Sequence, residues 1–174
     1  MKNLGNTFFF VVMALLTISL FEGSFISPDA GVTKSVQKGV TYGVSRVVDG
    51  DTVVLYKGDQ EETVRFVGID APETEYAPTG YECFSAEATE RAKELLSVNE
   101  VTFVPDASQA ERDEYGRLLG YLTLPNGTDF GAQMIEGGYA KEYTFKGQPY
   151  ERQAVYQEIE QLAETAGAGL WSCE

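Results

Sequence analysis

Residues 40 to 69 contain three short runs rich in β-branched and aromatic side chains, at 40–48, 52–56 and 63–69. Asp49-Gly50 separates the first two runs, and Lys57-Gly58-Asp59-Gln60 the second and third. Branched and aromatic side chains suit the pleated surface of a sheet, while Asp, Gly and Asn-type residues reverse the chain. Three such runs in succession predict an antiparallel meander. Pro72 lacks the amide donor that would carry the ladder further.

The rest of the chain supplies helices and two more strands. Residues 75–82, with Pro78 and Gly80, read as a loop. Residues 85–96 place apolar side chains at 88, 92, 95 and 96 behind Ser85, an N-cap candidate, and predict an amphipathic helix. A strand is expected at 101–104, ended by Pro105, and another at 116–124, ended by Pro125-Asn126-Gly127. Thr128 can cap a helix over 129–137 that Gly137-Gly138 terminates. A last helix begins near Pro149, carries apolar residues at 155, 156, 159, 162, 163 and 166, and stops before Gly167. Strands and helices do not alternate, which argues against a doubly wound sheet. The expected fold is α+β and mainly β: a five-stranded antiparallel OB-fold barrel with three flanking helices.

That domain would occupy residues 39–174 of the 174-residue chain. Residues 4–21 form an apolar run behind a single lysine, Lys2, the pattern of an export signal. No small-x-small pair follows Phe21, and the run approaches the roughly 20 apolar residues of a membrane span. Residues 1–22 are therefore read as a signal peptide or an N-terminal membrane anchor, and residues 23–38 as a flexible tether. The expected location is extracellular, secreted or held at the membrane by that segment. Two cysteines suit an oxidising compartment. A Cys83–Cys173 disulfide would pin the C-terminal tail to the loop after Glu73, closing a ninety-residue loop; the alternative is two unpaired buried thiols.

Composition limits the chemistry. The net charge of −14 argues against a basic nucleic-acid-binding module, whose phosphate affinity comes from Lys and Arg. An enzyme with a bound cation and local arginines is compatible with an acidic body, because the field at the phosphate decides. Histidine is absent, which excludes histidine-based nucleases and phosphodiesterases, and two cysteines supply no zinc cluster.

Against that background a few polar residues stand out. Pairing of the second and third strands puts Asp51 and Asp70 at one end of a hairpin, and two close carboxylates need a positive partner. Oxygen ligands suit calcium or magnesium. Glu73, beyond Pro72, can hang beside them and take a proton from water. Arg65 lies in an otherwise apolar strand, and Arg117 follows the turn Asp113-Glu114-Tyr115-Gly116. The guanidinium fork matches a phosphate bidentately. Tyr115, Tyr143 and Phe145 offer rings on which bases stack. Each residue alone has a plainer reading, as a turn aspartate, a solvated loop acid, a surface arginine or a packing aromatic.

Five blocks occur in order: Asp-Gly-Asp-Thr-Val at 49–53; Arg65 with Ile69-Asp70-Ala71-Pro72-Glu73-Thr74; Asp113-Glu114-Tyr115-Gly116-Arg117; Gly137-Gly138-Tyr139-Ala140-Lys141; and Gly169-Leu170-Trp171-Ser172. In these blocks, over residues 40–172, the chain resembles the staphylococcal (micrococcal) nucleases, or thermonucleases. The resemblance implies a calcium-dependent nuclease acting on DNA and possibly RNA, leaving 3′-phosphate ends. It assigns Ca2+ to the Asp51 and Asp70 carboxylates and the Ala71 carbonyl. Glu73 would be the general base, Arg65 and Arg117 the phosphate ligands, and Tyr115 and Tyr143 part of the nucleotide pocket. Two positions depart from the founding member: Ala71 replaces a usual threonine, and Phe145 replaces a pocket tyrosine, removing a hydroxyl. The founding enzyme is also basic, unlike this chain. The chain is expected to act as a monomer. The alternatives are a non-catalytic nucleic-acid or protein binding module on the same fold, which would show broken metal and phosphate positions, and a surface structural domain.

Overall fold

A computed structural model of the chain describes residues 39–74, 78 and 80–173. The expected signal or anchor and the tether lie outside these residues. No helix among the described residues is long and apolar enough to cross a membrane.

The meander forms as expected. Strands β1 (Val40–Val47), β2 (Thr52–Lys57) and β3 (Gln60–Phe66) pair antiparallel in sequence order. The register slips between Val44 and Arg46, a bulge that adds the local twist a small barrel needs to curl. Next in the sheet order come β5 (Glu100–Pro105) and β6 (Leu118–Thr123), and β5 returns to β1 to close a five-stranded barrel in the order β1-β2-β3-β6-β5.

One seam differs from the expected all-antiparallel barrel. Strand β6 runs parallel to β3, Val64 to Phe66 facing Leu118 to Gly120, so the barrel is mixed. The residues between these strands include a helix and β5, and a connection of that length leaves direction free, whereas the short turns of the meander do not.

The run expected as one strand over 63–69 is broken at Val67. Strand β3 ends at Phe66, and β4 (Gly68–Asp70) leaves the barrel to pair antiparallel with β7 (Lys141–Tyr143), which sets Asp70 opposite Lys141. Gly68 makes the break possible. Its φ is +82°, and a β-carbon there would sit 2.4 Å from the Tyr150 ring.

Three helices cover the barrel. Helix α1 (Ser85–Leu95) buries Ala88 and Ala92, as its apolar spacing predicts; the N-cap position is taken by Phe84, at φ +73°, instead of Ser85. Helix α2 (Phe130–Glu136) is the central one, burying Phe130, Met134 and Ile135, with Phe130 4.6 Å from Phe66 between ring centroids. Its cap is Asp129, which accepts the Ala132 amide, where Thr128 was expected. Helix α3 (Gln153–Ala166) starts later than Pro149 and buries only Tyr156 and Ala163; Val155 and Leu162 of its expected apolar set are exposed.

A buried acid closes one end of the core. Asp106 accepts the Tyr121 hydroxyl, the Ser108 amide and hydroxyl, and the Glu151 amide. Burial raises the Asp106 pKa, but these donors outweigh it and hold the carboxyl below its ordinary range. The same pairing raises the Tyr121 phenol, by burial first and by Asp106 second. The cysteines form the expected Cys83–Cys173 disulfide.

Replacing Asp106 with Asn is expected to lower unfolding free energy in urea by about 1–3 kcal/mol at neutral pH. Because the folded-state pKa is depressed, the aspartate's contribution is complete above its unfolded value and is lost as pH falls through the folded one. The gap between Asp106→Asn and the parent should therefore narrow below about pH 4. A gap that stays constant into acid would show that the carboxylate charge contributes nothing.

Candidate active site

Asp51 opens β2 from a tight turn in which its amide donates to Asp49 Oδ1 (3.0 Å). Its carboxylate is buried and fully engaged. Oδ1 accepts the Thr52 hydroxyl (2.9 Å) and lies 3.1 Å from Arg65 Nε, and Oδ2 accepts the Ala71 amide (2.9 Å). Thr52 and Arg65 are direct cross-strand partners in the β2–β3 ladder, which is why the guanidinium reaches back to Asp51.

Arg65 then gathers the strand break around itself. Nη1 donates to the carbonyls of Phe66 (2.9 Å) and Ile69 (2.6 Å), and Nη2 to Asp70 Oδ1 (2.7 Å). Asp70 is therefore not on the strand paired with β2, as the hairpin argument supposed. It belongs to β4, and Arg65 ties it to Asp51 across the break. Burial raises the Asp70 pKa, with Arg65 acting against it and Asp51 adding to it. Asp49 beside them is raised to about 6, first by burial and then by Asp51.

Glu73 is exposed at the edge of this cluster. Its pKa is raised by its partial burial and then by Asp51, Asp70 and Glu82, with Arg65 opposing. Its main chain is held by Glu82: the Glu73 amide donates to Glu82 Oε2 (3.1 Å) and the Glu82 amide to the Glu73 carbonyl (2.9 Å).

Arg117 is set by the turn before β6. Asp113 Oδ1 accepts the amides of Tyr115 (3.0 Å) and Arg117 (2.9 Å), and Asp113 Oδ2 accepts Arg117 Nε (2.6 Å). Burial raises the Asp113 pKa, but the bonds from Arg117 outweigh it and the carboxyl is held low. Gly116, at φ +82°, closes this turn. The guanidinium lies over the exposed Tyr115 ring, 5.4 Å from its centroid.

Asp49, Asp51, Arg65, Asp70, Glu73, Asp113, Arg117, Tyr143 and Phe145 all line one cleft of about 470 Å³. Ala71 instead borders an adjoining cleft of about 410 Å³ that shares Asp70 and is flanked by Glu82, Lys141 and the disulfide. Tyr115 stands beside the first cleft against Arg117. The sequence reading gave no role to Asp113, Asp49, Glu82 or Lys141. Asp113 and Asp49 carried a signal in their turn motifs and Lys141 in the 137–141 block; Glu82 carried none, because only tertiary pairing brings it in.

Among the described residues no group of three or more His, Cys, Asp or Glu side chains is gathered as a ready metal cage. The donor chemistry nonetheless fits a hard cation: Asp51 and Asp70 carboxylates with the Ala71 backbone beside them, all oxygen donors. Arg65 is the positive partner that holds the two carboxylates together.

The chain is similar to known nucleases along most of its length. A family model described as "Staphylococcal nuclease homologue" matches residues 63–173. The chain is 31% identical over 176 residues to a thermonuclease of Staphylococcus hyicus, covering 99% of each chain. It is 32% identical over 134 residues to a thermonuclease of Staphylococcus intermedius, covering 76% of this chain and 75% of that one. A micrococcal nuclease of Shigella flexneri is 34% identical over 137 residues, covering 74% of this chain and 72% of its own length.

The Arg65 contacts make a measurable prediction. Arg65→Ala leaves two carboxylates facing each other and should cost about 1–3 kcal/mol in denaturant unfolding without divalent cations. Adding Asp70→Asn to Arg65→Ala should recover part of that loss, since contacting residues are not additive. Additive losses would show that Arg65 and Asp70 act independently.

Proposed function

The chain belongs to the staphylococcal nuclease family and is a phosphodiester-hydrolysing endonuclease, and from that premise we propose an exported, calcium-dependent nuclease acting on DNA and also on RNA. The observation that supports this reading is the convergence of Asp51, Asp70, Glu73, Arg65 and Arg117 on one cleft.

In this reading the phosphodiester lies in that cleft between Arg65 and Arg117. Arg117, aimed by Asp113, offers its terminal nitrogens to phosphate oxygens, and Arg65 exchanges its bond to Asp70 for one to phosphate. Glu73, a stronger base than an ordinary carboxylate because burial first and then Asp51 and Asp70 raise its pKa, takes a proton from the water that attacks phosphorus. The two guanidiniums offset the charge that develops at pentacoordinate phosphorus; the bond from phosphorus to the 5′-oxygen breaks, that oxygen takes a proton from solvent water, and a 3′-phosphate remains. Calcium held by Asp51, Asp70 and the Ala71 carbonyl, when bound, supplies charge neutralisation at the phosphate and acidifies nearby water. Tyr115 and Tyr143 stack bases without sequence choice. Phe145 stacks likewise but offers no hydroxyl. Residues 1–22 direct export, and the protein acts as a monomer.

Two measurements test this. Cleavage of single- and double-stranded DNA, with end-group analysis, should require added calcium, stop with chelator and leave 3′-phosphate ends; equal rates with and without chelator would remove the metal role. Glu73→Gln should lower kcat by about 10²–10⁴ while leaving KM nearly unchanged. An unchanged kcat would remove Glu73 as the base.

A further inference from the structure

Glu73 lies two residues beyond Ala71, whose amide is held by Asp51. Pro72 contributes no amide, and the Glu73 side chain is exposed. Among the described residues its backbone is held by a reciprocal pair of hydrogen bonds with Glu82, one of them through the Glu82 carboxylate. Glu82 in turn is followed directly by Cys83, which is bonded to Cys173.

The other end of that bridge is anchored beside β7, the strand that pairs with the one carrying Asp70. The Cys173 amide donates to the Leu170 carbonyl (3.1 Å), and the Leu170 amide donates to Gly138 (2.9 Å), just before β7. Trp171 packs under Lys141 of β7, with the ammonium 5.1 Å from a ring centroid, and Lys141 is the ladder partner of Asp70. The disulfide thus closes a ring: Asp70 to Glu73 along the chain, Glu73 to Glu82 by hydrogen bonds, and Cys83 through Cys173 and Trp171 back to β7. Phe84, the residue after Cys83, is held at φ +73° with its ring 5.5 Å from that of Tyr139. Such a backbone persists only when its surroundings enforce it.

We propose that Glu82 and the Cys83–Cys173 disulfide are positioning residues for Glu73, so that hydrolysis depends on the bridge remaining oxidised. This rests on Glu73 being the base. A misplacement of about 1 Å in a reacting group can cost up to about 10²-fold in rate. Cys83 is exposed and so open to a reductant.

The test uses the whole protein and a water-soluble phosphine, which takes oxygen from water as the disulfide becomes two thiols. Reduced protein, shown still folded by circular dichroism at the assay temperature, should lose about tenfold in kcat with KM nearly constant. Glu82→Ala, with the disulfide intact, should show the same split, and Glu82→Gln, which keeps an acceptor oxygen for the Glu73 amide, should recover part of it. In a Glu73→Gln background, reduction should change kcat no further. Should the reduced protein unfold, the bridge holds the fold and not Glu73, which overturns its positioning role, and the two Glu82 variants decide that of Glu82. An unchanged kcat in folded reduced protein, or in Glu82→Ala, overturns the proposal. If Glu73→Gln itself turns over normally, the reading of Glu73 as base fails instead.

Discussion

The geometry of the cleft depends on one side chain, Arg65. Its guanidinium meets the Asp51 and Asp70 carboxylates and the carbonyls of Phe66 and Ile69 at once. These acceptors come from opposite sides of a break in the sheet, where β3 ends within the barrel and β4 departs to pair with β7. A planar fork with five donors can span such a break, whereas a lysine ammonium could not reach the same set in one geometry. Without that span the two carboxylates would repel each other, and Asp70 would have only its short ladder with β7 to hold it.

The acidic body gives that local arrangement more weight. At −14 the long-range field of the chain repels a polyanion, so attraction must come from groups at the cleft itself. Arg65 and Arg117 are both held by aspartates, Asp51 and Asp70 for one and Asp113 for the other. Each pairing fixes a guanidinium in direction while the acids lower its net local charge. A hard cation between the acids would restore positive potential at the phosphate, which links the acidity of the site to its expected metal.

Much of this was legible in the sequence, and the limits have physical causes. The meander, the helix over 85–96 and the cysteine pair followed from turn residues, apolar spacing and compartment chemistry. The motif residues Asp51, Arg65, Asp70, Glu73 and Arg117 do line one cleft, but by a route other than the expected hairpin. Asp70 was placed on a continuous third strand, because 63–69 reads as one β-branched run. Only the clash a side chain at Gly68 would make with Tyr150 shows why the strand must break there. The parallel β3–β6 seam was hidden for a related reason: nothing local encodes the direction of strands joined by a long connection. Glu82 was invisible, and Lys141 stood in a motif without a role, because what each does lies in tertiary pairing.

The Arg65 cluster and its proposed metal can be probed together by measuring DNA cleavage by the parent and by Asp70→Asn across a calcium titration. Removing one carboxylate ligand should shift the calcium concentration for half-maximal rate upward by about tenfold or more, with part of the lost rate regained at high calcium. The same calcium dependence in both proteins would contradict the account, because Asp70 would then be neither a ligand nor part of the charge balance that Arg65 holds together.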